Sequence, residues 1–395
     1  MQIEFANRMA GLKGSAIREI FKYAADPQVI SLAGGNPDPV TFPNRELSRI
    51  AQEVLAHEPV LALQYGITEG YTPLREEIRS RLKRVEGVGT PEDELIVVSG
   101  GQQGIELTAK VLLNEGDAVA VEEPSFIGAT NAFRSYGAKL VGIPVLSDGM
   151  DVEKLEQALK SEKIKLIYTI PTFQNPSGTS MSREKRRQVY ELAYRYGTLI
   201  LEDNPYGELY FSPENRMTPI KARDPYGIVI YSGSFSKILA PGMRLGYLCG
   251  PKELIQKVVI AKQISDVHTA MPVQLLAYRY MKEFDLDGAV AAMRAHYAHK
   301  CGVMQQAIRE EFPAGVETTQ PGGGLFIWCD LKNGTDTLQL AKKAIEKKVC
   351  FVPGNTFMVD MDRPCSALRL NYSTVSDEKI REGIHRLSEV ISENL

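Results

Sequence analysis

An α/β fold with a second, smaller α+β region is predicted by three observations. The chain has 395 residues, more than the roughly 100 to 200 residues of one ordinary domain. From about residue 95 to 250, short apolar runs alternate with amphipathic stretches, the pattern of strands joined by crossover helices. Beyond about residue 290 that alternation gives way to one long helical stretch and a few isolated strands.

Taken in order, ELIVVS at Glu94–Ser99 reads as a buried strand that Gly100 and Gly101 interrupt. Gln102–Leu113 then has helical periodicity and stops before Gly116, and Ala118–Val121 is the next strand. Asp151 caps a helix that runs to Ser161 with Val152, Leu155 and Leu159 on one face, and KIKLIYTI at Lys163–Ile170 returns as a strand ended by Pro171. Ser182 caps another helix with Val189, Leu192, Ala193 and Tyr196 inward; Gly197 stops it and Thr198–Leu201 follows as a strand. Gly227–Ser232 and Leu245–Cys249 complete the series. A helix over Val290–Phe312, a break at Gly322–Gly324 and strands near Leu325–Cys329 and Ala367–Leu370 make the smaller region. The expected division is a large domain over 46–290 and a small one built from 291–395 with the irregular segment 1–45.

Composition narrows the function. Hydrophobic residues make up 44% and charged residues 24%, the globular average, which excludes a disordered or fibrous chain. A formal charge of -3 is too balanced for a broad nucleic-acid footprint, so any anion must be met locally. No run approaches the roughly 20 apolar residues of a membrane span, and the first residues lack the apolar core of a secretory signal. Five cysteines with no Cys-x-x-Cys spacing argue against a disulfide framework or a zinc knuckle. A cytoplasmic protein with neither membrane nor nucleic-acid partners is expected. His296 and His299 share a helical face without a third ligand nearby, so no metal site is expected.

In open parallel sheets ligands bind outside the carboxyl ends of strands. Four such ends carry polar groups here: Ser99-Gly100-Gly101-Gln102; Asn175 in PTFQNPSG; Asp203 and Tyr206 in LILEDNPYG; and Ser234, Ser236 and Lys237 in SGSFSK with Arg244 beyond. The Gly100-Gly101 turn opening into a helix offers unpaired N–H groups to an anion, to which Ser234, Ser236 and Arg244 add donors. Each fragment alone reads more simply as a plain turn, a loop serine or a surface arginine. No Gly-x-Gly-x-x-Gly follows the strand and no Gly-Lys dipeptide occurs, so no dinucleotide fingerprint or Walker loop competes. Lys237, in a small-residue loop behind a buried strand, suits Schiff-base chemistry if desolvated; most lysines simply solvate a surface. Asp203 suits a carboxylate holding a pyridine nitrogen protonated, or a loop cap. Tyr206 and Asn175 offer hydrogen bonds to a phenolic oxygen, and Phe126 offers either a stacking face or core packing.

Ordered motifs run through nearly the whole chain: SLAGGNP at Ser31, LQYGITEGYTPLRE at Leu63, SGGQQG at Ser99, PTFQNPSG, EDNPYGEL, SGSFSK-x6-R, PGGGLFIW at Pro321 and LRLNYST at Leu368. In these the sequence resembles the pyridoxal-phosphate-dependent aminotransferases of the aspartate aminotransferase fold, in the branch with aminoadipate, kynurenine and aromatic aminotransferases. The resemblance implies a mainly parallel seven-stranded sheet in the large domain and pyridoxal 5'-phosphate (PLP) as cofactor. It implies a ping-pong exchange of an amino group between an L-amino acid and a 2-oxo acid such as 2-oxoglutarate. Lys237 then carries the cofactor, Asp203 pairs with its ring nitrogen, Asn175 and Tyr206 meet its ring oxygen, and Phe126 stacks on it. Phosphate contacts fall to the backbone at Gly101 and Gln102, to Ser234, Ser236 and Arg244, and to Tyr65 from the second subunit of a homodimer. Arg369, helped by Asn175 and the Gly35 backbone, takes the substrate α-carboxylate.

Two departures stand out. Gly101 replaces a frequent serine or alanine, and Phe126 a frequent tyrosine. Arg18 in SAIRE falls where some relatives carry a side-chain-sensing arginine, and reads otherwise as a solvated helical arginine. The same cofactor site also suits a carbon-sulfur β-lyase, and the fold occurs as the effector half of PLP-dependent transcription regulators.

Overall fold

A computed structural model describes residues 4–10, 26–332 and 334–394. After the short β1 (Ile30–Ser31) the chain forms β2 (Asp93–Val98), β3 (Ala118–Glu123), β4 (Lys139–Leu146), β5 (Gly149–Met150), β6 (Ile164–Thr169), β7 (Leu199–Asp203), β8 (Val229–Ser234) and β9 (Gly246–Pro251). From β2 onward these strands make one sheet in the order β2-β9-β8-β7-β6-β3-β4-β5. Its centre, β4-β3-β6-β7-β8, is parallel, whereas β9 runs against both β8 and β2. The near-continuous apolar runs of β2, β3 and β6 suit this arrangement, because helices cover both faces and no side faces water.

The sheet has eight strands rather than seven. The additional one, β5, is a two-residue return paired antiparallel to β4, and Gly149 makes it possible by adopting φ +106°. β4 itself escaped the sequence reading. Most of its residues are partly or fully exposed, and Gly142 and Pro144 interrupt its apolar pattern. β8 and β9 each begin later than the apolar runs suggest and extend to Ser234 and Pro251. The long helix spans Leu286–Glu311, starting earlier than predicted because the Asp285 carboxylate caps it by accepting from Gly288 N at 2.8 Å.

A second sheet is wholly antiparallel, in the order β10 (Glu317–Thr318), β11 (Phe326–Asp330), β14 (Ala367–Asn371) and β13 (Val352–Pro353). β1 pairs in parallel with β12 (Val349–Cys350), which ties the segment after residue 26 to the C-terminal part of the chain. His296 and His299 each meet a different carboxylate, Asp38 at 2.9 Å and Asp377 at 2.6 Å. Among the described residues no helix is long and apolar enough to cross a membrane.

The topology places the chemistry. β2, β6, β7 and β8 end at one edge of the sheet, and the connection from β8 into β9 lies at that same edge because β9 reverses direction. Residues 99–102, 170–175, 203–206 and 234–244 are thereby brought together from separate parts of the sequence.

Candidate active site

The helix Gly101–Leu112 starts directly after β2, and Gly100 makes the turn at φ +85°. A side chain at Gly100 would collide with the Arg244 guanidinium, so this glycine is needed for space as well as for conformation. The N–H groups of Gly101 and Gln102 open the helix and have no intrahelical acceptor before them. Arg244, itself in the left-handed region at φ 50°, reaches Ser236 Oγ at 3.5 Å and Pro241 O at 3.3 Å. Ser234 Oγ accepts from Ser236 N at 3.1 Å. Donors from two loops thus converge on one helix N-terminus, an arrangement suited to a phosphate.

This cradle opens into a cavity of about 290 Å³ lined by Gly35, Gly101, Gln102, Phe126, Asn175, Asp203, Tyr206, Ser234, Ser236, Lys237, Arg244 and Arg369. Twelve of the fourteen residues singled out in the sequence therefore line one space. Tyr65 lies elsewhere: it is 82% exposed and borders a groove with Val60, Leu61, Ile67 and Met271. Arg18 lies outside the described residues. The cavity is completed by Asn36, Ile105, Ile170, Pro205 and Phe326, which the sequence reading did not single out. Phe326 stood within PGGGLFIW, but its role depends on Arg369, which shares its face of the second sheet.

Three cations, Lys237, Arg244 and Arg369, face one carboxylate, Asp203, among the lining residues. The chain is negative overall while its cavity is positive, so an anionic ligand is met locally. Lys237 Nζ donates to Gly35 O at 2.7 Å. Loss of water, with the Arg369 and Arg244 charges adding to it, pushes its amine down to about 8. Burial pushes the Asp203 carboxyl up to about 6, while the Tyr168 hydroxyl, donating to Oδ2 at 2.9 Å, and to a smaller extent the Ser232 hydroxyl oppose that rise. Burial also raises the Tyr206 hydroxyl, and its ring meets Phe326 edge-on at 5.7 Å.

Arg369 projects from β14 between the rings of Phe326 and Phe357, at 4.3 and 5.0 Å from their centroids. It donates to Asn175 Oδ1 at 2.8 Å and to Ala33 O at 2.7 Å, whereas its buried Nε has no partner. A guanidinium held on two sides in the wall of a positive cavity suits a carboxylate. Gln102 spends its side-chain amide on Gly128 O at 2.8 Å, which leaves its backbone N–H for an anion. A Cβ at Gly101 would have no neighbour closer than 3.8 Å, so the Cβ of an alanine or serine would be in ordinary van der Waals contact there.

The residues present fit PLP on these observations: a donor cradle for the phosphate, a buried carboxylate for the ring nitrogen, a lysine depressed to about 8 for the aldehyde, and Phe126 for the ring face. The family model for "Aminotransferase class I and II" matches residues 27–387. The aromatic-amino-acid aminotransferase 1 of Thermococcus litoralis is 41% identical, covering 99% of this chain and 94% of its own length. The 2-aminoadipate transaminase of Thermus thermophilus is 37% identical, covering 98% and 96%. A crystal structure of Pyrococcus horikoshii kynurenine aminotransferase, in complex with PMP, superposes with a TM-score of 0.95 at 41% identity, covering 99% of this chain and 97% of that one. With a match over most of its length and a site built to the same end, this chain belongs to the class I and II aminotransferases.

Proposed function

We propose that this PLP-dependent aminotransferase moves the amino group of an aromatic, 2-aminoadipate-like or similar L-amino acid to a 2-oxo acid such as 2-oxoglutarate, by a ping-pong sequence. The observation that carries this reading is the convergence of Lys237, Asp203 and Arg369 on one cavity. Bound PLP supplies an aromatic ring that takes up the electron pair released at the substrate Cα. Arg244, Ser234, Ser236 and the N–H groups at Gly101 and Gln102 hold its phosphate, Asp203 pairs with its ring nitrogen, and Asn175 and Tyr206 meet its ring oxygen. Arg369, with Asn175 and the Gly35 backbone beside it, clamps the α-carboxylate and so fixes which Cα bond faces Lys237. Lys237 in its neutral form would serve as the base that takes the Cα proton. The first half-reaction releases a 2-oxo acid, and the second returns the amino group to another.

Ile105, Ile170 and Phe326 are among the cavity's apolar walls, which suits aromatic and long aliphatic donors. A panel of amino acids offered with 2-oxoglutarate, followed by formation of each 2-oxo acid, is expected to show fastest turnover with aromatic donors or 2-aminoadipate. Pyruvate and ammonia released from a cysteine conjugate, with no glutamate formed, would instead identify a β-lyase.

A homodimer is part of the same reading. Val60, Leu63, Tyr65, Ile67 and Ile264 are each more than half exposed, a cluster of apolar surface that a second copy would cover. Tyr65 then reaches the phosphate cradle of the other subunit. Sedimentation equilibrium is expected to return twice the chain mass of 43.8 kDa, and a single-chain mass would remove Tyr65 from the site. The five free thiols, four of them buried, suit the reducing cytoplasm; a disulfide in protein isolated from cells would argue against that compartment.

A further inference from the structure

Asp203 sits where β7 ends, and its carboxylate is held from one side by a residue that no motif marks. Tyr168, on the neighbouring β6, pairs across the strands with Leu201, so Tyr168 and Asp203 lie on the same face of the sheet as diagonal neighbours. The Tyr168 side chain is fully buried, its ring is fixed edge-on to Phe133 at 5.5 Å, and its hydroxyl donates to Asp203 Oδ2 at 2.9 Å. Asp203 Oδ1 points the other way: a Cβ on Gly101, in the cavity wall, would lie 4.0 Å from it. One carboxylate oxygen is therefore tied to the sheet by Tyr168 and the other lies toward the cleft, where the buried Ser232 hydroxyl, opposite Asp203 in β8, is a smaller contributor to the same carboxylate.

We propose that Tyr168 is a positioning residue that keeps Asp203 ionised and turns its Oδ1 toward the ring nitrogen of the bound cofactor. The inference rests on the reading of the cavity as a PLP site. Its physical basis is that a buried carboxylate is stabilised as an anion by a donor in hydrogen-bond contact, and that here the donor is rigid and away from water. Two other buried carboxylates lie nearby and are engaged elsewhere: Glu122 on β3 by Thr169 Oγ1 at 2.7 Å and Ile170 N at 3.0 Å, and Glu202 on β7 by Ile220 N at 2.9 Å and Lys221 N at 2.8 Å. Tyr206, Lys237, Arg244 and Arg369 are the titratable groups that line the cavity with Asp203. No second side chain in β6 can take over from Tyr168, because its neighbours Ile167 and Thr169 face the other way.

Equilibrium binding of PLP and of its 1-deaza analogue, in which carbon replaces the ring nitrogen, to cofactor-free protein at pH 7.5 tests this. Tyr168→Phe is expected to weaken PLP binding about tenfold, the worth of one hydrogen bond to a charged group, while affinity for the deaza analogue changes by less than about twofold on the same reasoning. In an Asp203→Asn background the same substitution is expected to leave the ratio of the two affinities unchanged. Equal losses for both ligands would mean that Tyr168 only packs the site, and no loss for either would remove it from the site; both overturn the proposal while leaving the PLP reading intact. If the unsubstituted protein bound neither ligand, the PLP reading would fall and the inference with it.

Discussion

Replacing Lys237 with Ala is expected to lower transamination at least about 10⁴-fold, the upper range for loss of a positioned base, and to abolish the borohydride-fixed adduct between protein and cofactor. The chain should still fold, because Lys237 makes a single hydrogen bond, to Gly35 O. It sits in the β8–β9 connection with its amine at the cavity rather than in the packed core. The unsubstituted protein offers a companion measurement. An amine attacks an aldehyde only when neutral, and this one is pushed down to about 8 from 10.5. At pH 7.5 it is therefore more than about two orders of magnitude richer in neutral amine than an ordinary lysine. Capture of PLP by cofactor-free protein, followed by absorbance, should thus rise with pH around 8 and level off above it. A rise centred near 10.5 would show that the site does not desolvate the lysine. Retained turnover in Lys237→Ala would remove this residue from the mechanism.

Substituting Asp203 with Asn should reduce turnover by about 10²- to 10³-fold, the effect of losing one preorganised charge in a water-poor site. Asn has nearly the same shape and can still accept from the Tyr168 hydroxyl, so the fold should be preserved. It lacks the negative charge that would hold a pyridine nitrogen protonated. The phosphate contacts lie on other loops, at Gly101, Gln102, Ser234, Ser236 and Arg244, so the deficit should appear chiefly in kcat. Single-turnover measurement of proton loss from Cα, with α-deuterated donor as comparison, separates the two effects. Near-normal proton transfer in Asp203→Asn would contradict the pairing of Asp203 with the ring.

Much of the site was legible because its parts are local. A buried strand followed by Gly-Gly and a helix, or by a short loop with Asp, Asn, Ser and Lys, is written within a few consecutive residues, and parallel strands place such ends at one edge. β4 was harder to read, since a strand near the sheet margin with Gly142, Pro144 and much exposure lacks the continuous apolar run that marked its neighbours. β5 was harder still, because two residues have no period at all. Tyr168 stood inside a run already identified as a strand, and nothing in KIKLIYTI distinguishes a tyrosine that packs from one that also holds a carboxylate.

The sequence by itself determined the α/β class, the sites of the turns and the residue types placed at the strand ends, since each follows from short-range periodicity and turn chemistry. Only the tertiary structure decided that Arg369 meets Asn175 across 194 positions, that Tyr168 holds one oxygen of Asp203, and that Lys237 loses enough water for its amine to be pushed down to about 8. These depend on distances through space and on how much solvent the surrounding chain excludes. Both are sums over neighbours remote in sequence, which no local pattern encodes.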